Sequence, residues 1–275
     1  MSELKEGFQC DILDTMDLVS ERPDLLKDVI MHYCPGCGHS VVNRLIMEVI
    51  QELGIVERTI GVAPVGCAVF CYNYMDIDMQ EAAHGRATAV ATGIKRVLPD
   101  RIVFTYQGDG DLAAIGTGET IHTINRGENI VMVFINNGIY GMTGGQMAPT
   151  TLPGSVTSTT PEGRDIFQHG NALDIAKLIA LLPGAYYVTR QAVNSAKGVR
   201  KTKKALMQGF KNQIEGLGGV SFIEVVSNCP AGWKMTPLKS NELLQNHIFN
   251  HFPLGDLKVP PKPAVNKDKK AGEKL

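Results

Sequence analysis

Charge of one sign is missing from this sequence: Lys and Arg number 27 and Asp and Glu 28 across 275 residues, a net charge of -1. Such a chain generates no field to hold it on nucleic acid or an anionic membrane, so neither is an expected partner. Long apolar runs are missing too. No stretch approaches the roughly 18 apolar residues of a membrane span. The start, MSELKEGFQCDILD, has acidic residues where a secretory leader needs a basic start and an apolar core. The expected compartment is the cytoplasm. Cysteine is scarce, with six residues: Cys10, Cys34, Cys37, Cys67, Cys71 and Cys229. In a reducing compartment they are not expected to form a disulfide framework, which leaves metal ligation, redox chemistry or plain burial.

What is present is ordinary globular material, 44% hydrophobic and 20% charged, enough to bury a core. Residues 1–30 read as a polar extension, with SERPDLLKDVI resembling a short helix before the first cysteine pair. SVVNRLIMEVIQELGI has helical spacing, and TIGVAPVGC reads as a strand running into a loop. A small-residue helix then ends near Pro99. RIVFTYQ and NIVMVFIN are continuous apolar strands of the buried parallel type, separated by the helical LAAIGTGETIHTINRG. A polar loop rich in Gly, Pro and Thr follows residue 140, longer than idle linkers usually are. The pattern closes with helix ALDIAKLIALL, strand AYYVTR, basic helix VNSAKGVRKTKKALMQGFKNQI and strand GVSFIEVVS. The fold class is α/β, a mostly parallel sheet with helices on both faces, over residues 31–255. Residues 256–275, rich in Pro and Lys, read as a flexible tail.

GDGDLA at 108–113 fits the dinucleotide pattern GxGxxA between a strand and a helix. A Rossmann site needs an acid about 20 residues on, at the end of the next strand. NIVMVFINN ends instead in Asn136 and Asn137. Asp109 and Asn137 would sit at neighbouring strand ends and could hold Mg²⁺, with a diphosphate on the backbone N–H groups of the helix start. The bland alternative is two unrelated tight turns.

CPGCGHS at 34–40 is a metal-gripping knuckle. CPxCG also opens zinc ribbons, and Cys67 with Cys71 could complete a four-sulfur zinc site. That alternative describes an α/β nucleotide-binding or scaffold protein. Cys229 separates the two readings.

The run GDGDLAAIGTGETIHTINRGENIVMVFINNGIYGMTGGQMAPTT, with CPGCG, VGC at 65–67, HGRATAVATGIK at 84–95 and NCPAGW at 228–233, resembles the beta subunit of the 2-oxoacid:ferredoxin oxidoreductases over about residues 31–237. The resemblance implies a thiamine diphosphate-binding fold. It implies that Asp109, Asn137 and the carbonyl of Ile139 bind Mg²⁺, that Gly108, Asp109, Gly110 and Asp111 carry the diphosphate, and that Cys34, Cys37, Cys67 and Cys229 ligate one 4Fe-4S cluster. His84 and Arg86 in AHGRA, and Thr143 and Gly144 in MTGGQ, are expected to face the cofactor rather than to be ordinary capping and turn residues.

The implied activity is coenzyme A-dependent oxidative decarboxylation of a 2-oxoacid to an acyl-CoA, with electrons passing to ferredoxin. The glutamate that activates thiamine belongs to a partner alpha subunit in this family, so no catalytic acid is assigned here. A small ferredoxin-like subunit is a further partner that the resemblance allows. The apolar run AVFCYNYMDID after VGC leans toward branched-chain substrates such as 2-oxoisovalerate, with pyruvate and 2-oxoglutarate open. The lysine-rich helix near residue 200 is most simply a solvated face.

Overall fold

The computed structural model describes residues 21–260, in which the β-branched runs of the sequence become strands. In chain order these are Thr59–Ala63 (β1), Asp78–Glu81 (β2), Ile102–Gly108 (β3), Val131–Asn136 (β4), Ile139–Tyr140 (β5), Gln146–Met147 (β6), Ala185–Ala192 (β7), Val220–Val226 (β8) and Gly255–Lys258 (β9). Seven form one sheet in the order β2-β1-β3-β4-β8-β7-β9. Every pair is parallel except β7 with β9, while β5 and β6 make a separate hairpin. The helices are His39–Leu53 (α1), Ala87–Val97 (α2), Thr117–Asn125 (α3), Ile166–His169 (α4), Ile175–Ala180 (α5), Ala196–Ile214 (α6), Pro237–Leu243 (α7) and Phe249–His251 (α8).

The central strand β4, VMVFIN, is buried at every position, as a parallel strand covered on both faces must be. Its side chains alternate between two cores. Val131, Val133 and Ile135 meet Ile46 and Ile50 of α1 and Leu206 and Phe210 of α6. Met132 and Phe134 meet Ala87 and Ala91 of α2, Ile124 of α3, and Ile175 and Ile179 of α5. In α1 the buried residues Val42, Leu45, Ile46, Val49 and Ile50 make one apolar stripe, and the helix stops at Gly54, whose φ of 63° suits glycine. The basic helix α6 turns Leu206 and Phe210 inward and keeps Lys201 and Lys204 in solvent. Its Lys203 binds Glu48 and Glu52 of α1.

The chain leaves β1 toward the edge strand β2 and leaves β3 the opposite way, toward β4. A crevice therefore opens beyond the C-terminal ends of β1 and β3, the place where open α/β sheets bind ligands.

Three expectations change. Residues 21–30 form no helix. Their backbone pairs instead with the segment before β2: Lys27 N–H donates to Tyr74 O (2.8 Å), Asp76 N–H donates to Leu25 O (2.8 Å), and Leu26 is buried opposite Met75. The strands β2, β5 and β6 and the short helices α4, α7 and α8 have no counterpart in the sequence reading. The boundary at 255 falls inside β9, which pairs with β7 through residues 255–258. Cys10, most of the N-terminal extension and most of the tail lie outside the described residues.

Candidate cofactor site

Asp109 follows the last residue of β3 and Asn137 follows the last residue of β4, and the register Gly108↔Ile135 sets these strand ends side by side. Both line a cavity of about 280 Å³ with Gly108, Gly110, Asp111, His84, Thr143 and Cys67. The Asp109 carboxylate is buried. It accepts from Gly110 N (2.9 Å), Ile139 N (3.1 Å) and Thr150 Oγ1 (3.2 Å). Burial still pushes its pKa up to about 7 against the opposing pull of those donors. A buried acid and the amide oxygen of Asn137, both beside Ile139 N, are the hard oxygen donors that suit a divalent cation.

Gly110 lacks a side chain for a visible reason, because a Cβ there would press on the Tyr140 ring at 3.0 Å. The loop opposite turns through Gly144 and Gly145, at φ of 112° and 83°. Thr143 is on the wall of this cavity. Gly144 faces a second, larger one of about 570 Å³ on the far side of the Asn137–Ile139 segment.

The structure gives Asp111 a different job from the one its motif suggests. Its side chain is buried, and its oxygens accept from Val65 N (3.3 Å), His84 Nδ1 (2.7 Å), Gly85 N (2.8 Å) and Gln107 Nε2 (2.7 Å). It ties the loop after β1 and the AHGRA loop to the glycine turn. The chain from Asp111 to Ile115 is a wide π-helical turn, with Gly116 N–H reaching back to Asp111 O at 3.0 Å, a distortion common at functional sites. Arg86 points away from the cavity wall and pairs with Glu119.

The thiols sort into two sets. Cys67 is pushed up to about 11, first by burial and then by Cys37, Cys34 and Asp109. Cys229 goes up to about 12, first by burial, with Cys37, Cys67 and Cys34 adding to it against the Gly232 N–H. Cys37 is raised by burial and by Cys34. A Cβ on Gly141 would lie 3.1 Å from the Cys229 sulfur and 3.5 Å from that of Cys67, so these two, distant in sequence, share one space. Asn228 anchors the knuckle by donating to Gly36 O (3.0 Å). Cys71 stands apart, fully buried among α1 and β3 side chains, and its pKa is pushed up to about 12 by burial.

The Cys67–Cys71 pairing that a zinc site needs is therefore not what the fold assembles. Any metal centre held by Cys34, Cys37, Cys67 and Cys229 would take them as thiolates, so its charge would have to offset the burial that raises Cys37, Cys67 and Cys229.

Sequence reasoning passed over three wall and support residues. His39, directly after CPGCG, is buried with Nδ1 against Tyr106 Oη (2.5 Å), and burial lowers its pKa to about 3. Thr150 of MAPTT bonds Asp109, and Trp233 of NCPAGW donates to Asn137 O (3.2 Å). Each adjoined a motif already noted, which was the available signal.

Comparison with known proteins agrees with this geometry. The family described as "Thiamine pyrophosphate enzyme, C-terminal TPP binding domain" matches residues 64–225. The ketoisovalerate oxidoreductase subunit VorA of Methanothermobacter thermautotrophicus is 43% identical over 246 residues, covering 86% of this chain and 51% of the relative. The 2-oxoglutarate synthase subunit KorB of Methanocaldococcus jannaschii is 40% identical over 211 residues, covering 76% of this chain and 72% of the relative. This chain thus spans about half the length of the first relative. Among solved structures, the 2-oxoglutarate:ferredoxin oxidoreductase from Magnetococcus marinus, with 2-oxoglutarate, coenzyme A and succinyl-CoA bound, superposes with a TM-score of 0.73 at 26% identity, covering 89% of this chain and 87% of that one. The chain belongs to the thiamine pyrophosphate enzymes that share the C-terminal TPP-binding domain, among the beta subunits of the 2-oxoacid:ferredoxin oxidoreductases.

Proposed function

We propose that this chain binds thiamine diphosphate, Mg²⁺ and one 4Fe-4S cluster and, with an alpha subunit, converts a 2-oxoacid and coenzyme A to acyl-CoA and carbon dioxide in the cytoplasm, passing two electrons to ferredoxin. One observation carries the reading: Cys67, a member of the four-thiol set, stands in the wall of the cavity that holds Asp109 and Asn137. Residues suited to a diphosphate and residues suited to an electron acceptor share one chamber.

Asp109, Asn137 and the Ile139 carbonyl would hold Mg²⁺. The backbone N–H groups from Gly108 to Asp111, with Thr143, would take the diphosphate, whereas Gly144, on the second cavity, would not reach it. Cys34, Cys37, Cys67 and Cys229 would hold the cluster. Thiamine diphosphate supplies the electron sink for decarboxylation and an iron–sulfur cluster supplies one-electron acceptance. The chain's own residues set the stage for both: Trp233 fixes the Asn137 backbone, Thr150 and Ile139 N–H fix Asp109, and Tyr140 packs over the glycine turn.

A branched-chain 2-oxoacid is the favoured substrate. The apolar Ala68 lines the cavity after Cys67, and a relative named for ketoisovalerate is 43% identical. The activating glutamate would come from the alpha subunit, and a small ferredoxin-like subunit would relay electrons.

The test is anaerobic purification with the natural partners, followed by iron, sulfide and zinc analysis and electron paramagnetic resonance on reduction. About four irons and four sulfides per chain, lost in Cys229→Ala, are expected. Stoichiometric zinc without iron or sulfide would overturn the cluster and return the protein to the zinc-ribbon reading.

A further inference from the structure

At the mouth of the cavity stands a carboxylate–imidazole pair whose chemistry cofactor binding leaves unused. Three N–H donors, from Val65, Gly85 and the Gln107 amide, aim at the two oxygens of Asp111, so the carboxylate acts as an acceptor, toward His84 Nδ1 at 2.7 Å as well. This places the hydrogen of a neutral His84 ring on Nδ1 and its lone pair on Nε2. Nε2 has no hydrogen-bond partner among the described residues, and the ring forms part of the cavity wall with Cys67, Asp109 and Thr143. The side chain is also 42% exposed, so the ring communicates with solvent as well. A neutral imidazole backed by a buried carboxylate is built to accept a proton. A lone pair is the wrong face to offer a phosphate oxygen.

We propose that His84 is the proton acceptor for the thiol of coenzyme A, with Asp111 as the residue that holds it in the accepting tautomer; this rests on the oxidoreductase reading above. The overall conversion of 2-oxoacid and thiol to thioester and carbon dioxide releases one proton and two electrons. The proton is that of the S–H bond. In the step assigned to His84 this bond breaks heterolytically, the proton passes to Nε2, and the sulfur keeps the electron pair and forms the C–S bond of the thioester, which replaces the carbon–carbon bond that the acyl carbon loses as carbon dioxide leaves. The two electrons of acyl oxidation go to ferredoxin, the acceptor in the proposed reaction. The exposed side of the ring then hands its proton to water, which restores the neutral imidazole for the next turnover.

The experiment uses the assembled enzyme, purified anaerobically, and reads acyl-CoA formation with saturating 2-oxoacid and coenzyme A. His84→Ala is expected to lower kcat on the order of a hundredfold, the usual scale of a lost general base. Added imidazole should restore turnover, and substituted imidazoles should restore it in the order of their basicity. His84→Gln fills the site with an amide that can still bond Asp111. It should lose as much and should not respond to imidazole. Unaltered turnover in His84→Ala, or a loss that no imidazole repairs, overturns the assignment. In the latter case a matching loss of thiamine diphosphate affinity would make His84 a diphosphate contact. A parent enzyme that forms no acyl-CoA from any 2-oxoacid would overturn the oxidoreductase reading itself, a result separate from any behaviour of the variants.

Discussion

Replacing Asp109 with asparagine should stabilise the cation-free protein at alkaline pH, although it removes a residue of the site. Burial raises the Asp109 pKa from 3.8 to about 7. Between those values the folded chain holds a proton that the unfolded chain has released, so the Asp109 contribution to stability is greatest below pH 3.8 and falls as pH rises to about 7. A difference of roughly three pH units at 1.36 kcal/mol each amounts to roughly 4 kcal/mol lost by pH 8. Asparagine does not ionise and escapes that loss. Its amide oxygen cannot serve all three of Gly110 N, Ile139 N and Thr150 Oγ1, which costs about 1 kcal/mol. The net expectation is a variant about 3 kcal/mol more stable than the parent at pH 8 and slightly less stable near pH 4. Mg²⁺ and thiamine diphosphate should narrow or reverse the order at pH 8, because ligand at a hundred times its Kd adds about 2.7 kcal/mol to the parent alone. Urea unfolding of the full chain in chelator across pH 4–8 measures this. Parent stability that stays level or climbs over that range, with no gain in Asp109→Asn, would refute the reasoning.

Cys71→Ala should keep the full iron content and lower stability by about 1 kcal/mol, the cost of a small cavity in the core around Ile46 and Phe104; iron analysis and thermal unfolding check it. Gly116→Ala places a Cβ 2.4 Å from Asp111 O and 2.6 Å from Gly85 O. It should cost about 1–3 kcal/mol by overpacking and push the AHGRA loop off Asp111, seen as weakened thiamine diphosphate binding by calorimetry. Glu224→Leu takes from the fully buried Arg190 its fully buried partner at 2.6 Å, leaving Asp174 as its remaining carboxylate, and frees Asn136 from Glu224 (2.7 Å). A loss of about 3 kcal/mol or more is expected in denaturant melts.

That the GDGD turn and the INN strand end meet in one cavity was legible because both are local. GDGD and INN belong to a single βαβ unit, and adjacency of β3 and β4 follows from the continuous apolar character of both strands. The thiol half was legible only as alternatives. Spacing treats Cys71 and Cys229 alike, and what separates them is that a 3-10 turn, Val69–Asn73, faces Cys71 into the core, while the end of β8 delivers Cys229 to the knuckle 192 residues away in sequence, by way of the Asn228–Gly36 bond. The strand β2, DMQE, carries no β-branched residue. It is a strand because β1 offers it partners from Ile60 to Ala63, a preference that belongs to the neighbour rather than to the segment itself. Asp111 fails to read for a related reason. A motif records that an acid stands in the turn but not whether its backbone or its carboxylate does the work. Here the side chain turns to the loops after β1 and β2 because β1 lies beside β3 and brings Val65 N–H, His84 and Gly85 N–H within its reach. The pairing of His84 with Asp111 is thus a consequence of sheet order. Any change that moves the end of β1 relative to β3 should disturb the imidazole before it disturbs Asp109, whose partners Ile139 and Thr150 lie on the other side of the turn.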